Sequence, residues 1–172
     1  MLSQLTFVLG GAASGKSLYA ESLVTDTGAP RVYIATGEAW DDEMRAKIAA
    51  HVDQRGPGWR TLEAPLDVAP ALASVAEDEV ALLDCATMWM SNHQLAENDL
   101  EAETTRLLDA LAACKGKVVV VSNEVGMGIV PENALARRFR DVQGRLNKRL
   151  AAAADTVLFV AAGLPLTMKA PT

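Results

Sequence analysis

An apolar run, Leu5 to Leu9, leads straight into the stretch GGAASGKS, Gly10 to Ser17. No other segment restricts the fold as tightly. The spacing G-x-x-x-x-G-K-[ST] is met by Gly10, Gly15, Lys16 and Ser17, with a strand pattern immediately before it and a helical pattern, about Lys16 to Val24, immediately after. Glycines let successive backbone N–H groups curl around phosphate oxygens, and the N-terminus of the following helix adds its partial positive charge. Gly10, Gly11, Ala12, Ala13, Ser14, Gly15, Lys16 and Ser17 are therefore the expected phosphate-holding set. Within it, Lys16 is placed to reach the β- and γ-phosphates and Ser17 to ligate Mg²⁺ through its hydroxyl. The competing reading, an ordinary strand–turn–helix corner, is the weaker one in that context.

The rest of the chain repeats the alternation. RVYIAT, Arg31 to Thr36, is a β-branched and aromatic run, hence a strand; from Asp41 to Val52 the apolar positions Met44, Ile48 and Val52 recur every four residues, a helix face. Asp41 and Asp42 suit the first turn of that helix, where the dipole favours negative charge. WRTLEAP, Trp59 to Pro65, is short and extended, with room for a short helix after it. VALLDCAT reads as a buried strand ending at Asp84, and KVVVVSN, Lys117 to Asn123, has the consecutive valines that suit a strand covered on both faces. A long helix is expected from about Asn133 to Ala154, with Pro131 and the following acid starting it, then a strand TVLFVAA. Pro165 makes anything after Gly163 a weak or edge strand. Short buried strands alternating with helices predict an α/β fold of the P-loop NTPase, RecA-like kind: one domain over residues 1–172, a mostly parallel sheet and helices on both faces.

Charge and cysteine content narrow the partners. A net charge of −6 makes a poor general binder of nucleic acid, since nonspecific affinity comes from neutralised phosphates. Any phosphate is held locally, by the loop. Cys85 and Cys114 lack metal-ligand spacing, sit among apolar residues, and read as reduced, buried thiols. The run LTFVLGGAA has no basic segment before it and continues into Gly-Lys-Ser, unlike a secretory signal. No apolar run reaches the ~20 residues that cross a bilayer. A cytoplasmic location is the default expectation.

Asp84 ends a buried strand, on the edge where an α/β sheet places its ligands, and can hold Mg²⁺ through water; capping the next helix is the alternative. There are two histidines. His51, at the end of DDEMRAKIAAHVDQR, reads on spacing alone as a structural or capping residue, because a helix C-terminus favours a cationic ring. His93 has still less to suggest chemistry. The loop NEVGMGIVPEN also follows a buried strand, and Glu124, Gly126 and Gly128 suit a bent backbone that approaches a substrate. Arg137, Arg138 and Arg140 read as a solvated helix face, with contact to a neighbour or an anionic substrate as the alternative. Met88, Trp89 and Met90 read as packing.

Together GGAASGKS, VYIATGEAWDDEMRAKIAAHVDQR, WRTLEAP, LLDCATMWMSN and SNEVGMGIVPENALARRFRDVQGRLNKRLAAAADTVLFVAAG resemble the bifunctional adenosylcobinamide kinase / adenosylcobinamide-phosphate guanylyltransferase family of cobalamin biosynthesis. The resemblance covers most of the chain in order. It implies two reactions that use ATP and GTP as nucleotide substrates: phosphorylation of adenosylcobinamide, then transfer of GMP to the adenosylcobinamide phosphate. It implies that His51 takes GMP covalently, with Lys16 serving catalysis, and that Thr36, Gly37, Glu38, Val52, Asp53, Gln54, Arg55, Glu63 and Asp84 contact nucleotide. A homotrimer is implied as well. Members of the family often carry Arg where Ala13 stands, which removes one phosphate contact, and an extended strand where Pro165 stands. Two rivals remain on residues alone: a P-loop small-molecule kinase with His51 structural, and a RecA-like nucleic-acid ATPase. The acidic charge and the absence of an aromatic-basic stripe count against the second.

Overall fold

The computed structural model describes residues 1–38 and 42–171, apart from the side chains of Met44, Lys47, His51 and Gln54. Along the chain run β1 (Leu5–Gly10), α1 (Lys16–Thr25), β2 (Arg31–Ala35), α2 (Asp42–Arg55), β3 (Trp59–Glu63), α3 (Ala69–Ala73), β4 (Val80–Asp84), α4 (Ala86–Leu95), α5 (Leu100–Ala113), β5 (Lys117–Asn123), α6 (Ala134–Ala153), β6 (Thr156–Ala161) and β7 (Leu164–Lys169). The strands form one seven-stranded sheet in the order β3-β2-β4-β5-β1-β6-β7. Every pairing is parallel except β6 with β7.

The valine run explains how the layers form. Successive side chains on a strand point to opposite faces. Val118 and Val120 join Phe7, Ile34 and Leu83 beneath α3, α4, α5 and α6. Val119 and Val121 join Val8, Tyr33 and Leu82 beneath Ala20 and Val24 of α1. All four valines are at most 1% exposed, so this strand needs apolar residues at every position and cannot alternate with polar ones. The expected mostly parallel sheet with helices on both faces is present.

Several details differ from expectation. No element is expected above for residues 100–113, yet α5 fills them, started by Asp99, whose carboxylate accepts the N–H groups of Glu101 and Ala102 at 3.1 Å each. The long helix runs from Ala134 to Ala153, as expected from about Asn133 to Ala154, but Asn133 rather than Pro131 starts it: the Asn133 carboxamide oxygen accepts from the N–H of Leu135 at 2.8 Å and of Ala136 at 3.2 Å. A cap that satisfies free helix donors decides the start more strongly than a proline two residues earlier. Residues 164–169 do make an edge strand, with Pro165 opposite Val160. The helix expected from Asp41 to Val52 is present as α2, and its apolar face turns away from the core. Its stripe of Ile48 and Val52 is 36% and 49% exposed, so it does not pack into the core; Asp41 and the Met44 side chain lie outside the described residues. Among the described residues no helix is long and apolar enough to cross a membrane.

Candidate functional site

β1 delivers the loop to the carboxyl edge of the sheet, and the loop is wedged there. A Cβ at Gly10 would stand 2.6 Å from Ser14 Oγ and 2.6 Å from the Val160 carbonyl oxygen, so only glycine fits. Gly15, with φ of 88°, is the left-handed residue that turns the chain into α1. Ala13 is also left-handed, at φ of 54°. The turn between β6 and β7 presses on the loop from outside: the Gly163 N–H donates to the Ser14 carbonyl at 2.8 Å. Lys16 folds back over the loop, its Nζ donating to the Gly11 carbonyl at 3.0 Å. Burial lowers the Lys16 pKa, opposed by the neighbouring Cys85 and Asp84 side chains. Ser14 Oγ is buried with no partner. A buried hydroxyl beside a ring of backbone amides is what a phosphate oxygen would satisfy.

Asp84 ends β4 on the same face as α1. Its Oδ2 accepts from the Tyr33 hydroxyl at 2.8 Å, a partner that sequence reading missed. The tyrosine is recognisable as part of a strand, but nothing in the chain says that it lies opposite Leu82, two residues short of Asp84. Desolvation and the nearby carboxylate push the Tyr33 pKa up, which keeps the phenol a donor. Thr36 is fully buried; its hydroxyl donates to the Cys85 carbonyl at 2.7 Å and accepts from the Cys85 N–H at 2.8 Å. Its carbonyl accepts from Asn92 Nδ2 at 2.8 Å. Thr36 thus ties the ends of β2 and β4 together with every polar group engaged. Cys85 differs from the expected buried thiol: it caps α4, accepting from the Met88 N–H at 3.4 Å, and it lines the cavity described next. Burial raises its pKa to about 11. Cys114 is buried, as expected.

Between this edge and α2 opens a cavity of about 490 Å³ whose walls include Gly37, Glu38, Val52, Arg55, Glu63 and Asp84. These six residues come from four separate segments of the chain, and all were candidates on sequence. Tyr33, Ile48, Thr61 and Met88 complete much of the apolar lining. The Arg55 guanidinium lies 3.3 Å over the Tyr33 ring, and its Nη1 is buried without a partner. Asp53 is exposed on α2 and does not line the cavity. His51 belongs to the α2 backbone, while its side chain and that of Gln54 lie outside the described residues. His93 is structural: it is 2% exposed, packs on Trp89 at 4.4 Å between ring centroids and bonds Asn98 and the Leu66 carbonyl.

The Glu124 loop rises next to the phosphate loop, because the Glu124 N–H donates to the Gly10 carbonyl at 2.9 Å. Its carboxylate accepts from the Gly126 N–H, and Arg140 donates to the carbonyls of Gly126 and Gly128. Arg137 donates to the carbonyls of Pro131 at 2.9 Å and Glu132 at 2.6 Å. Arg137 and Arg140 therefore hold the loop rather than forming a merely solvated face. Met127, Ile129 and Val130 stand exposed on it. Among the described residues no cluster of three or more His, Cys, Asp or Glu side chains could hold a metal by itself.

A search of solved structures finds the RadB recombinase with a TM-score of 0.54 and 18% identity, covering 90% of this chain and 73% of that one, a likeness of fold. The bifunctional adenosylcobalamin biosynthesis protein CobU of Salmonella typhimurium is 46% identical over 96% of this chain and 99% of its own length. The bifunctional adenosylcobalamin biosynthesis protein CobP of Pseudomonas aeruginosa is 43% identical over 94% of this chain and 95% of its own. The family model described as cobinamide kinase / cobinamide phosphate guanyltransferase matches residues 6–168. Matched along nearly its whole length by that model and by both relatives, the chain belongs to the cobinamide kinase / cobinamide phosphate guanyltransferase family.

Proposed function

We propose that the protein phosphorylates the aminopropanol hydroxyl of adenosylcobinamide with a nucleoside triphosphate and then transfers GMP from GTP to that phosphate through a covalent His51–GMP intermediate. The observation that carries this reading is the cavity: its walls include Asp84 and Cys85, whose side chains neighbour Lys16 of the phosphate loop, and α2, the helix that bears His51, supplies another part of its wall. Position 51 lies three residues after Ile48 and four before Arg55, both of which line the cavity, a spacing that supports this reading.

In the first reaction the substrate hydroxyl attacks the γ-phosphorus, the nucleoside diphosphate leaves with the bridging oxygen and the hydroxyl proton passes to water, with Lys16 and the loop amides holding the triphosphate. In the second, a neutral imidazole nitrogen of His51 bonds to the α-phosphorus and pyrophosphate departs with the bridging oxygen. An oxygen of adenosylcobinamide phosphate then bonds to that phosphorus and the N–P bond breaks, returning the imidazole. Two in-line displacements replace one encounter of two polyanions. Arg55, with a buried N–H to spare, and Glu63 across the cavity are suited to holding the nucleotide. Ser17 and Asp84 offer the hard oxygen donors that suit Mg²⁺, and Tyr33 engages only one carboxylate oxygen. Bound there with the triphosphate, Mg²⁺ would neutralise charge on the phosphates.

GTP radiolabelled at the α-phosphate should leave label on the protein, stable to base and lost in mild acid, whereas γ-label should not persist. His51→Ala and His51→Asn should lose that label and guanylyl transfer while phosphorylation of adenosylcobinamide continues. Protein-bound GMP in either variant would sink the covalent role and favour a kinase with a structural histidine.

A further inference from the structure

The strand that separates the phosphate-loop strand from the Asp84 strand is β5. Its last residue, Asn123, is the register partner of Gly10, while Val121, two residues earlier, is the partner of Asp84. Alternation along β5 decides which way Asn123 faces. Ser122 belongs to the side of the large helices, where its Oγ donates to Asn147 Oδ1 at 2.6 Å and accepts from Gln143 Nε2 at 2.8 Å. Asn123 therefore shares the opposite face with Val121, the face covered by α1. It stands between the loop that ends in Lys16 and the carboxylate of Asp84.

The backbone of Asn123 is held with unusual care and its side chain is left free. Its N–H donates to Thr87 Oγ1 at 2.7 Å, and its carbonyl accepts from Asn147 Nδ2 at 3.1 Å. Both holders belong to a buried polar network of Thr87, Ser122, Gln143 and Asn147. Yet the Asn123 Oδ1 is buried with no hydrogen-bond partner. Leaving such a group unsatisfied is costly, so a site that keeps one supplies the partner from a ligand or water. The amide can turn by 180° and present NH₂ in the place of oxygen.

We propose that Asn123 is a catalytic residue of the kinase step: its carboxamide NH₂ hydrogen-bonds the γ-phosphoryl group and steadies it during transfer to the acceptor hydroxyl. This rests on the kinase half of the proposed function. As the acceptor oxygen bonds to the γ-phosphorus, the bond to the bridging oxygen breaks, the nucleoside diphosphate leaves with the electron pair, and the hydroxyl proton passes to water. Asn123 takes no proton. It donates to an equatorial oxygen from a backbone fixed at both ends, so the donor is already in position when charge moves. In guanylyl transfer the reacting atom is the α-phosphorus, out of reach of this contact, and the two activities should separate.

The test is Asn123→Ala, assayed with adenosylcobinamide for the kinase and with supplied adenosylcobinamide phosphate for guanylyl transfer. The expected result is a kinase kcat lower by about 100-fold, the loss typical of removing one positioned donor, with KM for nucleotide nearly unchanged. Guanylyl transfer should stay within about fivefold of the parent protein, a minor change on the scale of transition-state losses. A kinase rate within about threefold of the parent, or parallel loss of both activities in a folded variant, overturns the proposal. Should Asn123→Ala not fold, the isosteric Asn123→Asp is read the same way, since its carboxylate repels the γ-phosphoryl group. If the unaltered protein fails to phosphorylate adenosylcobinamide, the proposed function falls instead. Asn123 is then read in the release of γ-phosphate from ATP to water, where the same loss is expected and its absence overturns the proposal.

Discussion

The two walls of the site are built on different principles. The phosphate loop is locked: Gly10 has backbone and side chain at 2.6 Å from a Cβ position, Gly163 bonds Ser14, and Lys16 already crosses to Gly11. Across the cavity α2 carries exposed Ile48 and Val52 and meets the body of the protein through Arg55 stacked on Tyr33. A wall that binds the feature common to all triphosphates benefits from being set before the ligand arrives, because ordering then costs nothing at binding. The α2 wall leaves its apolar stripe exposed in the nucleotide-free protein. On the proposed function one region is stabilised by the fold and the other gains its burial from the ligand.

The sharpest way to test that contrast is Lys16→Ala. Its hydrogen bond goes to a loop carbonyl rather than into the core, so folding should survive, while both reactions should fall by at least ~10²–10³-fold with the loss of a phosphate-facing cation. Kinase turnover near the parent rate in folded Lys16→Ala would remove the loop from the chemistry. Gly10→Ala should strike stability instead. The added methyl meets the Val160 backbone, which cannot swing away, so denaturant unfolding should show a loss of about 1–3 kcal/mol, the cost of overpacking. An unchanged midpoint would mean that the loop is less rigid than its contacts imply.

On the other wall, Ile48→Ser with Val52→Ser should change the stability of the nucleotide-free protein by no more than about 0.5 kcal/mol, because these residues are already exposed. The same variant should weaken nucleotide or substrate binding several-fold by calorimetry, and equal stability loss with and without ligand would contradict a ligand-stabilised helix. The smallest effect concerns Cys85, which sits between the walls. With its pKa raised by burial from 9.0 to about 11, its thiolate fraction at neutral pH falls by roughly a hundredfold, so alkylation should be correspondingly slow and should quicken only as pH approaches 11. Alkylation at the rate of an ordinary exposed thiol would show that the cavity does not desolvate it.

The chain by itself determined the strands, the glycine loop and the acidic end of β4, because those rest on local chemistry: valine runs for a strand covered on both faces, glycines and Lys-Ser for a phosphate cradle, Asp84 after VALL. The motif-bearing stretches also carried the family, and the six candidates that line the cavity came from them. Local pattern misled where tertiary contact decides. The apolar period of α2 marks a helix face without saying what covers it, and only the assembled sheet reveals that Ile48 and Val52 line a cavity. Asn133 and Asp99 set helix starts through bonds whose donors lie two and three residues on, a local signal that Pro131 does not override. The pairing of Tyr33 with Asp84, the pressure of Gly163 on the phosphate loop and the place of Asn123 between Gly10 and Asp84 join residues 51, 149 or more than 30 positions apart. Strand order brings them together, and strand order is a property of how the sheet closes its core, not of any one stretch of residues.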